Sequence, residues 1–318
     1  MGLTDATCTV AIVGAGSMAR EHIPAFADVP GATVAGIHSR TRSRAEELAS
    51  SNDIPSVCDS VAELYEATQA ELVVVAVSET ATSPVSRACF EFPWTVLLEK
   101  PPGLDMSEAE EIHAAASARS SNVLVALNRR FLSSTRAASA DLSQREGRRF
   151  IKVQDQQDIV QAAELGHPQT VVDNWMYANS IHLIDYFQVF GRGPVVAVRP
   201  EIAWDPERPG VVVSTIEFDS GDVGVYEGIW DGPGPWAVSI STAERRWEMR
   251  PLEEATYQKR GERQLHPVEV HRWDRDFKPG FRLQAEMAAA AALGEPSDIP
   301  SLDEAMKTMR LIAAIFGR

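Results

Sequence analysis

From Val10 to Ala19 the chain reads Val-Ala-Ile-Val-Gly-Ala-Gly-Ser-Met-Ala, an apolar run, two glycines one residue apart and the start of a helix-forming stretch. Few features restrict a fold more. A short segment that is apolar without alternation suits a strand buried on both faces, which needs helices on both sides of a parallel sheet. Gly14 permits the tight turn that leaves such a strand, and Gly16 lets backbone come close to a pyrophosphate. Ser17 and Met18 open a helix whose N-terminus would face the anion, and Ala19 lets that helix pack near the strand. Alone the glycine pair is a weak signal; its place directly between strand and helix gives it weight.

The same punctuation recurs. Apolar runs at Thr7–Val13, Ala32–Ile37, Leu72–Val77, Trp94–Leu98 and Asn122–Ala126 alternate with helical stretches at Met18–Phe26, Ser43–Ala49, Val61–Ala67, Pro84–Phe90 and Glu108–Ala118. Ser60 with Glu63, and Ser107 with Glu110, have the spacing of capping boxes. After Leu127 the rhythm changes to two helices, Thr135–Arg145 and Tyr177–Phe190, and strand-like segments at Phe150–Gln157, Val195–Ile202, Val211–Phe218, Val223–Trp230, Trp236–Thr242 and Arg246–Arg250. Asp219-Ser220-Gly221-Asp222 reads as a hairpin turn between two of these. Helices Phe281–Leu293 and Leu302–Phe316 follow, the second capped by Ser301 with Glu304. The expected fold class is α/β: a doubly wound parallel sheet over residues 1–127, then an α+β domain over 128–318 with an open, largely antiparallel mixed sheet. At 318 residues the chain suits two such domains better than one.

Acidic residues outnumber basic ones 45 to 30, a formal charge of −15 that repels phosphate backbones and anionic lipid. The expected partners are therefore neither nucleic acid nor membrane. No apolar run reaches the length of a membrane helix, and Met1–Val10 lacks the pattern of a secretory signal. Cys8, Cys58 and Cys89 are odd in number and scattered, which suits reduced thiols in the cytoplasm. The histidines show no metal spacing, so no metal is expected.

In a dinucleotide-binding unit the residue after the second strand discriminates the cofactor, because a carboxylate there binds the ribose 2′-hydroxyl of NAD. Here Ile37-His38-Ser39-Arg40-Thr41-Arg42 brings no acid before Glu46. The Ser39 hydroxyl and the Arg40 guanidinium suit a 2′-phosphate and favour NADP(H), with NAD(H) left open. The alternative is that Arg40, Arg42 and Arg44 only begin a solvated helix. Strand Trp94–Leu98 ends in Glu99-Lys100-Pro101-Pro102. The carboxyl ends of parallel strands form the ligand crevice, so Lys100 is delivered there by a turn that the prolines stiffen.

With Gly14-Ala-Gly-Ser-Met-Ala19, Ser39-Arg40, Glu99-Lys100-Pro101 and Asn128-Arg129-Arg130-Phe131 in this order and spacing, the chain resembles the Gfo/Idh/MocA oxidoreductases from about Thr7 to the last helix; Ile181-His182-Leu183-Ile184-Asp185 also fits. The resemblance implies an N-terminal Rossmann domain binding NAD(H) or NADP(H) through Gly14, Gly16, Ser17, Met18, Ser39, Arg40, Glu99 and Pro101. It implies a second domain that lends substrate groups and often an oligomer interface, hence a homo-oligomer, dimer or tetramer. It also implies hydride transfer to or from a hydroxyl or keto group of a sugar, sugar nucleotide or cyclitol.

Lys100 matches the family's catalytic lysine and His182 its substrate-facing histidine. The pattern Asp-x-Gly-x-His-x-x-Asp is here Ala178-x-Ser180-x-His182-x-x-Asp185, so the leading acid is missing, and Asp173, in the loop Thr170–Trp175, is a candidate to replace it. Residues three or four apart share a helix face, which sets Asn179 beside His182, able to position a sugar hydroxyl. The alternative for His182 is a core histidine bonded to Asp185. Asn128 and Arg130 are candidate substrate contacts, with an interdomain salt bridge the competing role for the arginine. The lost acid keeps a second function alive, a catalytically degenerate NAD(P)-binding regulator or scaffold of the same fold.

Overall fold

A computed structural model describes residues 7–318, so the reading of Met1–Ala6 lies outside the described residues. The chain forms two compact units. The first runs to Asn128 and takes back Trp273–Met306; the second comprises Arg129–Arg272 and Lys307–Arg318.

In the first unit β1 (Cys8–Val13), β2 (Ala32–His38), β3 (Ser56–Cys58), β4 (Leu72–Val75), β5 (Thr95–Glu99) and β6 (Val123–Ala126) form a parallel sheet in the order β3-β2-β1-β4-β5-β6. β4, β5 and β6 are buried at every position, the burial that their unbroken apolar runs require. Helices α1 (Ser17–Ala27), α2 (Arg42–Ser51), α3 (Val61–Thr68), α4 (Thr82–Cys89) and α5 (Met106–Ala118) connect successive strands. The order reverses between β1 and β4, so the carboxyl ends of these two strands flank the crevice where such sheets bind ligands.

Ser60 caps α3 as expected, accepting from Glu63 N at 3.0 Å. α5 starts earlier than the sequence suggests. Its cap is Asp105, whose carboxylate accepts from Glu108 N at 2.9 Å, while Glu108 accepts from Leu104 N at 2.6 Å. The same reciprocal satisfaction of end amides operates two residues before Ser107.

Helix Phe281–Ala292 packs on α1. Phe281 lies 4.7 Å from the His22 ring, and Arg282, 3 % exposed, donates to Asp28 Oδ2 at 2.6 Å and to its carbonyl at 3.0 Å. Segment 300–301 adds to the β6 edge, with Val125 N donating to Pro300 O at 2.9 Å and a bridge between Leu124 and Ser301. The returned segment thus covers a helix face and a strand edge of the first sheet.

The second unit carries β7 (Phe150–Gln156), β8 (Val195–Ile202), β9 (Val211–Phe218), β10 (Val223–Ile229), β11 (Trp236–Ser241), β12 (Arg245–Met249), β13 (Ala255–Lys259) and β14 (His266–Pro267) in the order β14-β13-β12-β11-β7-β10-β9-β8. Only β7 and β10 pair in parallel. Gly221, at φ +81°, turns the β9–β10 hairpin. β13 and β14 escape the apolar pattern because their residues are largely polar and only partly buried. The histidine-bearing helix is a π-helical turn, Met176–Ser180, continued by Ile181–Ile184 and Tyr186–Phe190.

No helix among the described residues is long and apolar enough to cross a membrane. The three cysteines are buried thiols.

Candidate functional site

In the first unit the functional positions gather at the carboxyl edge of the sheet. Gly14 holds φ +115°, and a Cβ there would sit 2.1 Å from the carbonyl oxygen of Ala76, just past β4. Its amide donates to His38 O at 2.8 Å, tying the turn to the end of β2. Gly16 differs. It is exposed, has φ −89°, and a Cβ built on it meets nothing within 4 Å. It is the N-cap of α1 without a side-chain cap, and the first turn carries no acid. The opening amides of a helix have no intrahelical acceptor, so an uncapped, acid-free N-terminus beside open space fits a pyrophosphate. Ser17 is exposed and Met18 partly so at the same end.

Past β2, Ser39 Oγ accepts from Thr41 N at 3.3 Å. The three arginines separate. Arg42 pairs with Glu46 at 2.9 Å and with Asp59. Arg40 is exposed and makes no ion pair among the described residues. Arg44, one turn into α2, is likewise exposed without an ion pair among the described residues, and Arg40 is the one that directly follows Ser39 at the strand end.

Glu99, the last residue of β5, is buried and lies 2.7 Å from Nε2 of the fully buried His22 on α1. Its other oxygen accepts from Lys100 N at 3.2 Å. The carboxylate is therefore committed under α1, and the next residue, the partly exposed Lys100, emerges at the sheet edge. The Lys100–Pro101 peptide is cis, and Pro101 is buried. β1, β4 and β5 are consecutive, so two strand spacings of about 5 Å separate the Lys100 strand from the glycine turn. Asn128 is buried and donates to Pro279 O at 2.9 Å, the role of a link inside the first unit.

In the second unit Arg130 forks onto Asp185, Nε to Oδ2 and Nη2 to Oδ1, each at 2.7 Å, and Thr308 Oγ1 donates to Oδ1 at 2.7 Å. This salt bridge lies inside the second unit, not between domains as the competing role for the arginine had it. It anchors the histidine helix to the turn Asn128–Phe131, and Asp185 is occupied by it. Ala178 is buried, so the position of the family's leading acid holds a methyl group in the core. Asp173 is exposed and accepts from Gln169 Nε2 at 2.8 Å.

Asn179 and His182 are partly exposed between buried neighbours, and three positions apart they share one side of the helix. The His182 ring centroid lies 6.2 Å from that of Trp236, whose indole donates to Gln156 O at 2.7 Å. Asn179 Nδ2 donates to Gln157 Oε1 at 2.7 Å, and so does Trp175 Nε1 at 2.8 Å. Gln157 in turn donates to the buried Asp155, which also accepts from Tyr226 OH at 2.8 Å. Burial pushes the Asp155 carboxyl up to about 6. Sequence reading missed Asp155 and Gln157, though a signal existed: Ile151, Val153, Asp155 and Gln157 fall on one face at period two, so two polar residues continue an apolar stripe.

The sequence of residues 8–127 matches the family described as oxidoreductases with a NAD-binding Rossmann fold, Gfo/Idh/MocA. No curated protein matches the chain by sequence. Among solved structures, a dehydrogenase from Chromobacterium violaceum is 18% identical at TM-score 0.83, the match covering 98% of this chain and 94% of that one. A levoglucosan dehydrogenase solved with NADH and L-sorbose is 17% identical at TM-score 0.80, covering 98% and 96%. A 3-ketoreductase from Actinomadura kijaniata, solved with NADP, is 15% identical at TM-score 0.72, covering 97% and 96%. At such identities the likeness shows a shared fold along the whole chain.

Proposed function

We propose that this protein is an NAD(P)-dependent oxidoreductase acting on a hydroxyl or keto group of a sugar, sugar nucleotide or cyclitol. The observation that carries the reading is the acid-free, uncapped α1 N-terminus behind Gly14 and Gly16 at the sheet's switch point, in a segment of a NAD-binding family. Gly14, Gly16, Ser17 and Met18 would hold the pyrophosphate, with Glu99 and Pro101 shaping the adjoining wall. Ser39 and the unpaired Arg40 would take a 2′-phosphate, which favours NADP(H). The nicotinamide supplies the hydride acceptor or donor.

Lys100 donates a hydrogen bond to the reacting oxygen and stabilises the charge that develops on it as hydride moves. His182 exchanges a proton with substrate through its imidazole, whose ring nitrogens can both give and accept one. Asn179 binds a substrate hydroxyl. The Asp185 fork supports a role for Arg130 in holding the histidine helix of the second unit, and the Pro279 contact a role for Asn128 in holding the chain after β6 in the first. Neighbours of this fold include a levoglucosan dehydrogenase and a 3-ketoreductase, which supports a carbohydrate substrate. We further expect cytoplasmic action and a dimer or tetramer; Val196 on the edge strand β8, 60 % exposed, and Ile202, 49 % exposed, support an interface there.

The test is titration with NADPH and NADH by energy transfer from tryptophan, followed by a screen of sugars, sugar nucleotides and cyclitols. Saturable binding, tighter for NADPH, and turnover lost by at least 100-fold in Lys100→Ala at unchanged cofactor affinity is the expected result. Binding without turnover of any compound would return the regulator reading; tighter NADH binding would remove the 2′-phosphate assignment.

A further inference from the structure

The buried network beneath the histidine helix decides which atom of Asn179 faces outward. An indole N–H can only donate, so the Gln157 atom that Trp175 meets must be the carbonyl oxygen. The Gln157 amide nitrogen then faces Asp155, whose carboxylate accepts, and the two ends of the side chain agree. Because Oε1 can only accept, the Asn179 atom against it at 2.7 Å must be the amide nitrogen, which leaves Asn179 Oδ1 outside the network. Gln157 is 1 % exposed and Asp155 1 % exposed, while Asn179 is partly open beside His182. Burial makes an amide flip costly, since it would set two donors against each other and oxygen against carboxylate.

We propose that Gln157, gripped by Asp155, is a positioning residue that turns the Asn179 carbonyl toward substrate, so that this point of the site takes a hydrogen-bond donor such as a sugar hydroxyl and discriminates against a carboxylate or phosphate oxygen. The inference rests on the reading of Asn179 as a substrate contact. It assigns that contact a polarity and traces the polarity to residues that do not touch substrate.

Two measurements test it. The first needs no substrate: side-chain amide and indole NMR signals are followed in the apoprotein. Gln157→Leu should shift both the Trp175 indole and the Asn179 carboxamide signals; an unmoved Asn179 pair would overturn the network. The second uses the sugar turned over fastest in the screen and its analogues lacking one hydroxyl at a time. Gln157→Leu and Asn179→Ala should each raise KM about tenfold, with kcat within twofold and cofactor affinity unchanged, and the double variant should be no worse than either. One deoxy analogue should show the high KM already with the unaltered enzyme and lose nothing further in the variants. Multiplicative losses would overturn the proposal.

Asn179→Asp decides the matter if the buried variant does not fold. It keeps acceptor oxygens at a partly exposed site and removes the donor to Gln157, so KM should rise about tenfold; an unchanged or lower KM would show that Gln157 does not set the geometry. Absence of turnover with every sugar would remove the substrate reading, and the hydroxyl assignment with it, while the NMR result would still report whether Gln157 holds Asn179.

Discussion

Gly14 and Gly16, two residues apart, serve different ends, and alanine separates them. At Gly14 a methyl group meets the Ala76 carbonyl at 2.1 Å on a backbone at φ +115°, so Gly14→Ala should cost roughly 2–4 kcal/mol of stability. At Gly16 the backbone suits alanine and the space is open, so Gly16→Ala should keep stability within about 0.5 kcal/mol while weakening NADPH binding at least tenfold. Urea denaturation and cofactor titration of both variants check the contrast. Asp155 gives a prediction of another kind. With its carboxyl raised to about 6 by burial, the folded chain keeps a proton that the unfolded chain releases near pH 4. The folded state binds more protons in that window, so this group's stabilising contribution is complete below about pH 4 and is lost as pH rises through about 6, a change of about 2–3 kcal/mol. Asp155→Asn should lack that fall, so between pH 4.5 and 7 the stability difference should move in favour of the variant.

Among the elements, the helix after the glycine turn is held over β5, whose last residue precedes Lys100, by a buried polar contact. His22, fully buried on α1, meets Glu99 at 2.7 Å. Removing the imidazole leaves a buried carboxyl that keeps the Lys100 amide at 3.2 Å, a situation that costs on the order of 3 kcal/mol. His22→Ala should therefore lower stability by about that amount and weaken cofactor binding as α1 loosens; calorimetry with and without NADPH checks both. The π-helical turn Met176–Ser180 belongs to this scale too. It widens the helix just before Ile181–Ile184 and brings Asn179 onto Gln157, a local irregularity of the sort often found where side chains must be re-aimed.

For the molecule as a whole, the return of Trp273–Met306 to the first unit sets what can fold alone. Residues 1–128 without it would expose the face of α1 that Phe281 and Arg282 cover, and leave the β6 edge open, an invitation to strand pairing between chains. Asn128 bonds Pro279 directly, so a short flexible linker can join 128 to 273. The fragment 1–128 should aggregate, and the same fragment linked to 273–306 should be monomeric and unfold cooperatively. Light scattering and denaturation of the two settle the point.

The alternation of strands and helices, the glycine turn, the capping at Ser60 and the lysine at the end of β5 were all legible in the sequence, because each is written in a few neighbouring residues through periodicity, turn chemistry or end-group satisfaction. The edge strands β13 and β14, largely polar and half-buried, were not. Nor were the partners of the site's polar groups. Glu99 finds His22 across 77 positions, Arg130 finds Asp185 across 55, and Arg282 finds Asp28 across 254. A charged or amide side chain states what it can bond, not with whom; the choice among distant partners falls to whichever the packed layers bring within about 3 Å away from water. So sequence specified the sheet and the turn that fits a dinucleotide, while tertiary structure committed Arg130 to Asp185, set Ala178 in the core and turned Asn179 on Gln157.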